Sequence, residues 1–457
     1  MQLSLPENSV PVKDMFERFF ATESTPARVR AAEPVGFDAE LWKELVALEV
    51  PFMRLSADAG GGDMSLFDAC LMMEQAGRRL APAPLAESLV ALRILGEVGG
   101  DVARDWIAKV RGEGAVLTLA LRSTADGKPQ LVPGGAVANG ILTFDGGKLA
   151  IELPATALEA PHTLGGAALG AFTPNQCTRV VLSSNADAKR IWEAGIEEWK
   201  LLTSAALIGL SREATEMAAA YACERQAFGQ PIGTYQGIAH PLANDIIDAD
   251  GAAMLQMWVL RALADDAPDA GGLISTLFWW ASRTATNCVA HAIHTFAGYG
   301  LSNEYDIQLY HRRAKAWALA HLFVNGNLAD VLRAAAHLLH RGRKAGDVLA
   351  QCVDQFDQRG DLAQRGLDQR RAFIETLDRA FGQEPRLVAR FGDLALIGLE
   401  RADGFGQRLT GSGTTRFHGV KVPAAQGAVL SLIRAHGASR RVAVGSEHHA
   451  ALAAFRG

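Results

Sequence analysis

Arg225, Phe228, Gly229, Pro231, Gly233 and Gln236 lie close together in the segment YACERQAFGQPIGTYQGIAHPLAND, residues 221–245. A guanidinium presents a planar fork of donors that matches a phosphate, an aromatic face stacks on a ring, and an amide adds a further donor or acceptor. The set suits a phosphorylated aromatic cofactor. It also suits a plain helix-to-helix corner with an incidental arginine, because Gly229 and Pro231 stop one helix and a second can begin after GTYQGI. A second cluster is HTFAGYGLSNEYDIQLYHRRAKAW, residues 294–317, where Gly298 and Gly300 break a helix and let backbone N–H groups approach an anion.

The elements that must carry these corners change texture along the chain. FDAELWKELVALEV and SLFDACLMMEQAGRRL repeat apolar residues at helical spacing, so the first part reads as helices packed on a core. Between them SADAGGGDM reads as a flexible glycine-rich connection rather than a phosphate cradle. From AVLTLALRS onward, short β-type runs (AVANGILTF, GKLAIELPA, TRVVLSSN) are separated by Gly, Pro, Asn and Asp, which predicts a small antiparallel β domain. The helical period then returns in segments long enough for a bundle. The expected fold is mainly α with a small β domain: an N-terminal helical domain over 1–113, a middle β domain over 114–189, a C-terminal four-helix bundle over 190–343, and an extra segment of open role over 344–457. Within that last segment, LTGSGTTRFHG reads as a turn, since it lacks the ending of a phosphate-binding loop.

Composition narrows the function classes. The chain has 457 residues, 49% of them apolar and 21% charged, which is the balance of a globular protein with several packed units. A net charge of −5 gives no basic surface for nucleic acid. Five scattered cysteines without a CxxC pair imply neither a disulfide framework nor a zinc site, and they fit a reducing cytoplasm. The amino terminus mixes acids and prolines where a signal peptide needs a basic start and an apolar run. No uninterrupted apolar run reaches the ~18 residues of a membrane span.

With both corners on a helix–β–helix chain, the sequence resembles the acyl-CoA dehydrogenase family. ERQAFGQPIGTYQGIAHPLAND is similar to the family's R-x-x-F-G-x-x-I-x-x-x-Q segment, and FAGYGLSNEYDIQLYHRRAK to its G-G-x-G-x-x-x-E-Y-x-x-x-x-x-x-R-x-A-K segment. LWKELVALEV, GGGDMSLFDACLMMEQAGRRLAPAP and SLVALRILGEVG are similar to its N-terminal helices and loop. The resemblance implies FAD held across a subunit interface. Arg225 and Phe228 would meet its adenosine diphosphate part with Gln236 beside them, while His294, Gly298 and Gly300 form the second corner. In that pattern His294 stands at an amide position and Ala297 at the first glycine. Glu304 matches a residue of the motif and reads as structural.

The implied reaction removes the α-proton of an acyl-CoA with a glutamate while FAD accepts hydride from Cβ. The two family positions for that glutamate fall at Trp199 and His321, and neither is Glu. Glu198 is one residue away and His321 could take a proton, so these two stand as the candidate bases within the chain. The family's Thr-Glu-Pro-x-x-Gly-Ser-Asp loop is missing too, with Leu119, Arg122, Ser123 and Thr124 in its region. Three readings follow: a subunit of a heteromeric acyl-CoA dehydrogenase whose partner supplies the Glu, a self-sufficient dehydrogenase with a displaced base, and a non-catalytic scaffold of the same fold. The resemblance further implies a homo- or hetero-oligomer, an electron-transfer acceptor, and a place in fatty-acid or steroid catabolism.

Overall fold

The computed structural model describes residues 9–324 apart from 34, 162 and 269. The segment 344–457, with its LTGSGTTRFHG turn, lies outside the described residues. Six helices come first: α1 (Val10–Glu23), α2 (Pro26–Ala32), α3 (Ala39–Ala47), α4 (Leu66–Arg78), α5 (Leu85–Val98) and α6 (Gly100–Glu113). Their starts are written locally. Thr25 accepts from the Arg28 N–H ahead of Pro26, the Asp38 side chain accepts from the N–H groups of Glu40 and Leu41, and Ser65 accepts from Asp68. Gly114, with φ 68°, closes α6 in the left-handed conformation. Phe20, Leu41, Trp42, Leu45 and Met72 form the core beneath them.

The glycine-rich stretch after Leu55 is a folded turn, not the flexible connection expected from its composition. The Gly62 N–H donates to Phe52 O, Asp63 N–H to Leu55 O, and the Arg54 guanidinium to Met64 O. A side chain at Gly61 would collide with the Leu55 backbone, which explains the residue type there.

Six short strands follow: β1 (Leu117–Leu119), β2 (Gln130–Val132), β3 (Gly140–Phe144), β4 (Leu149–Leu153), β5 (Gly170–Phe172) and β6 (Thr178–Ser183). One sheet has the order β1-β3-β4-β6, and β2 pairs with β5 in a second. Ala120, Val132, Ala138, Ile141 and Phe172 pack together here. The layer is not wholly antiparallel. β1 pairs parallel to β3, with Leu117 opposite Gly140, because the chain between them crosses to the other sheet through β2 and returns in the same direction.

The bundle consists of α7 (Asp187–Glu224), α8 (Gln236–Ala264), α9 (Ala270–Phe296) and α10 (Ile307–Val324), with the two-residue strands β7 (Gln226–Ala227) and β8 (Gln230–Pro231) between α7 and α8. Helix α7 is 38 residues long and also joins the bundle to the amino-terminal helices. A Cβ at Gly77 of α4 would run into the Ala206 backbone, and one at Gly209 of α7 into that of Glu74. These two glycines therefore let the helix backbones cross in direct contact. Arg212 donates to Glu74 at 2.6 Å and Arg79 to Glu213 at 2.7 Å, pinning the same crossing from its sides.

Candidate active site

The first corner is a tight hairpin. The Arg225 N–H donates to Tyr221 O, closing α7, and its carbonyl accepts from the Ile232 N–H, both at 2.8 Å. Gln226 pairs with Pro231 and Ala227 with Gln230, so Phe228 and Gly229 are the two loop residues. Their φ values are 52° and 82°, the sign that a type I′ hairpin turn demands of both central residues. Glycine adopts this freely, whereas a bulky side chain costs about 1 kcal/mol. Phe228 is nevertheless 97% exposed. Its ring meets only the edge of Tyr235, whose hydroxyl donates to Ala227 O at 3.0 Å.

Helix α8 starts at Gln236, which is exposed beside the hairpin. Arg225 is the residue that caps α7 rather than a member of its last turn. It has no ion pair among the described residues, and its guanidinium lies 5.7 Å from the Tyr299 ring centroid. That contact joins the two corners, since Tyr299 belongs to the 3-10 turn Ala297–Leu301 that follows α9. Beneath them Tyr221 stacks on Phe296 at 4.1 Å, and Tyr305 closes the cluster edge-on at 5.5 Å from Phe296.

In the second corner His294 lies exposed in the last turn of α9. Ala297 takes φ 53°, a left-handed conformation that glycine would adopt without strain. Gly298 is open to solvent. Gly300 is buried, and a Cβ there would meet Ile293 O at 2.9 Å. The Arg225 guanidinium on Tyr299 links the two corners, with Phe228 and Gln236 exposed on the hairpin side and His294 and Gly298 exposed on the other. This donor set fits a flavin adenine dinucleotide: the charged fork suits the pyrophosphate, and the rings suit adenine.

The candidate bases fare differently. Glu198 is 8% exposed and held by two guanidinium groups, with Arg54 Nε donating to Oε1 at 2.9 Å and Arg93 Nε 2.7 Å from Oε2. Both oxygens are engaged and turned toward the amino-terminal helices. That removes the geometric basis for Glu198 as a free base. His321 lies near the end of α10.

Trp199, one residue along α7, points about 100° away. It is 1% exposed, stands edge-on to Phe278 at 5.6 Å, and donates its indole N–H to Glu87 Oε1 at 2.9 Å. Burial, outweighing the hydrogen bonds from Trp199 and from its own backbone, pushes the Glu87 carboxyl above its ordinary range. The region of the missing loop is folded onto the β layer. The Arg122 N–H donates to Gln130 Oε1, Gln130 Nε2 donates to Arg122 O, and Thr124 is buried with its N–H on Phe144 O.

Sequence reasoning missed Tyr299 as the link between the corners, although it stands inside the quoted GYG. It also missed Glu87, which nothing in its neighbourhood distinguishes from a helix-start acid. The Asp245–His291 pair was missed as well. His291 Nδ1 lies 2.8 Å from Asp245 Oδ1, and burial is the first cause raising the Asp245 carboxyl.

Models of the acyl-CoA dehydrogenase N-terminal and C-terminal domains match residues 7–108 and 190–321. The chain belongs to the acyl-CoA dehydrogenase family, FAD-dependent oxidoreductases. It is 26% identical over 299 residues to the acyl-CoA dehydrogenase IpdE2 of Mycolicibacterium smegmatis, covering 64% of this chain and 87% of that protein. It is 25% identical to benzylmalonyl-CoA dehydrogenase of Aromatoleum aromaticum, over 73% of this chain and 98% of the relative. Among solved structures, a chain of the ChsE4-ChsE5 complex from Mycobacterium tuberculosis superposes with a TM-score of 0.66 at 22% identity, over 73% of this chain and 98% of that one. Among the described residues, no helix is long and apolar enough to cross a membrane.

Proposed function

We propose that this chain is one subunit of a hetero-oligomeric acyl-CoA dehydrogenase, in which it contributes the FAD-binding corners and a second acyl-CoA dehydrogenase-like subunit contributes the glutamate base. The observation that carries the reading is the contrast between the two regions. The corner is equipped and presented outward, whereas the earlier base position holds Trp199 and its acidic neighbour Glu198 is locked between Arg54 and Arg93. The complex named for ChsE4 and ChsE5 lends support from the fold's side. Bulky acyl-CoA thioesters, such as those of steroid breakdown, are the proposed substrates. An electron-transfer acceptor would reoxidise the flavin, and four unpaired cysteines among the described residues agree with a cytoplasmic setting.

FAD would supply the hydride acceptor for the dehydrogenation. This chain's part is to hold it. Arg225 would supply positive charge for the pyrophosphate, Phe228 and Tyr299 would offer aromatic faces, Gln236 and His294 would offer hydrogen bonds, and Gly298 and Gly300 would supply the glycine backbone of the second corner. A partner glutamate takes the α-proton, a step helped by exclusion of water. Co-purification with the candidate partner, followed by native mass and flavin absorbance, tests this. The expected result is a yellow hetero-oligomer that reduces its flavin with acyl-CoA, beside an inactive isolated chain. Full turnover by the isolated chain would overturn the partner-base reading.

A further inference from the structure

The second corner is braced from the amino-terminal domain. Its 3-10 turn runs on into residues 302–306, where the Ser302 N–H donates to Tyr299 O at 3.0 Å and the Tyr305 N–H to Ser302 O at 3.4 Å. The Tyr305 ring then stands 5.5 Å from that of Tyr299, against which the Arg225 guanidinium lies. Local hydrogen bonds alone hold a surface loop of this kind loosely. Arg30, in the last turn of α2, adds the missing restraint: Nη2 donates to Asn303 O at 3.2 Å, and Nη1 lies 2.5 Å from Asp306 Oδ1. One guanidinium fork thus grips the chain on both sides of Tyr305. Three residues on, Glu33 pairs with Arg312 of α10.

We propose that Arg30 is a positioning residue for FAD: by fixing Tyr305 it sets the Tyr299 ring, and through that ring the Arg225 guanidinium, so that the amino-terminal domain governs how tightly the cofactor is held. The inference rests on FAD occupying the two corners, whichever subunit supplies the base. The Arg30 and Asp306 side chains are 32% and 35% exposed, and a pair so open to solvent contributes little to global stability. Arg28, on the same helix, offers the contrast. It is more buried, lies 2.8 Å from Asp38 and 3.0 Å from Glu23, and its ion-pair partners among the described residues all belong to the amino-terminal domain.

The test measures cofactor affinity rather than turnover. The complex as purified is stripped of flavin and titrated calorimetrically with FAD, beside melting curves of the apoprotein. Arg30→Ala should weaken FAD binding by roughly 3- to 30-fold, the span expected of a residue that acts on a site through its neighbours, with little change in melting temperature. Arg28→Ala should lower the melting temperature more and leave the Kd unchanged, whereas a role in stability alone predicts the reverse order. In a Tyr299→Ala background, Arg30→Ala should no longer weaken binding, because the two substitutions then remove the same path. Asp306→Asn breaks the clamp from its other side, should act like Arg30→Ala, and decides the matter where that variant does not fold. An unchanged Kd in folded Arg30→Ala or Asp306→Asn overturns the proposal. So does an equal loss in Arg28→Ala, or an undiminished effect of Arg30→Ala in the Tyr299→Ala background. FAD binding at the corners fails separately, if the wild-type complex takes up no FAD or Arg225→Ala leaves its Kd unchanged.

Discussion

Replacing Glu198 by glutamine separates a structural carboxylate from a catalytic one. Glu198 is 8% exposed, and its partners Arg54 and Arg93 have side-chain exposures of 20% and 14%. The substitution leaves two guanidinium groups in a mostly dry pocket without their counter-charge. Breaking such a buried pair costs about 3–5 kcal/mol, and the residual exposure of the arginines places this site near 3. At about 2 °C per kcal/mol for a large domain, the melting temperature should fall by ~6 °C. Differential scanning calorimetry of the flavin-loaded complex measures that fall, and stopped-flow flavin reduction well below the transition should change by less than about twofold. Arg54→Met combined with Glu198→Gln should cost less than the sum of the two changes, because the pair is then removed together. An unchanged melting temperature with flavin reduction abolished would refute the structural assignment and return Glu198 to the role of base.

The corners and the junction give three further expectations. Arg225→Ala should weaken FAD retention on gel filtration by roughly 10- to 100-fold, the worth of a charge-assisted contact. The melting temperature of the apoprotein should stay put, since Arg225 is exposed and has no ion pair among the described residues. Ala297→Gly removes a left-handed strain at φ 53° and should stabilise the protein by about 1 kcal/mol in urea unfolding, with no loss of flavin. Glu87→Gln concerns pH. The folded carboxyl titrates above its ordinary value of 4.5, so the native state holds the proton more tightly than the unfolded chain, and wild-type stability is lost as pH rises through that window. Glutamine can still accept from Trp199 and does not titrate. The variant's stability minus that of wild type should therefore increase from pH 4 upward and then level off, and a difference that falls with rising pH would contradict the burial of Glu87.

Much of this was written locally in the chain. Asp38, Ser65 and Gly114 mark helix ends because capping depends on a few adjacent residues, and the break of the long helix before Phe228 is readable because Gly229 and Pro231 punctuate it, although the two-residue hairpin made there is not. The parallel pairing of β1 with β3 was not readable, since it depends on where β2 goes. Nor was the folded turn after Leu55, where tertiary contacts use glycines that composition alone assigns to flexibility. At Glu198 the offset of one residue gave a direction, about 100° around the helix, but not what lay there. Arg54 and Arg93 reach it from a loop and from α5, and Glu87 reaches Trp199 from that same helix. Adjacent residues of α7 are thus both held by the amino-terminal domain, one by charge and one by a hydrogen bond. The region expected to supply a base has become part of the junction between domains, while the exposed corner remains free to meet a cofactor.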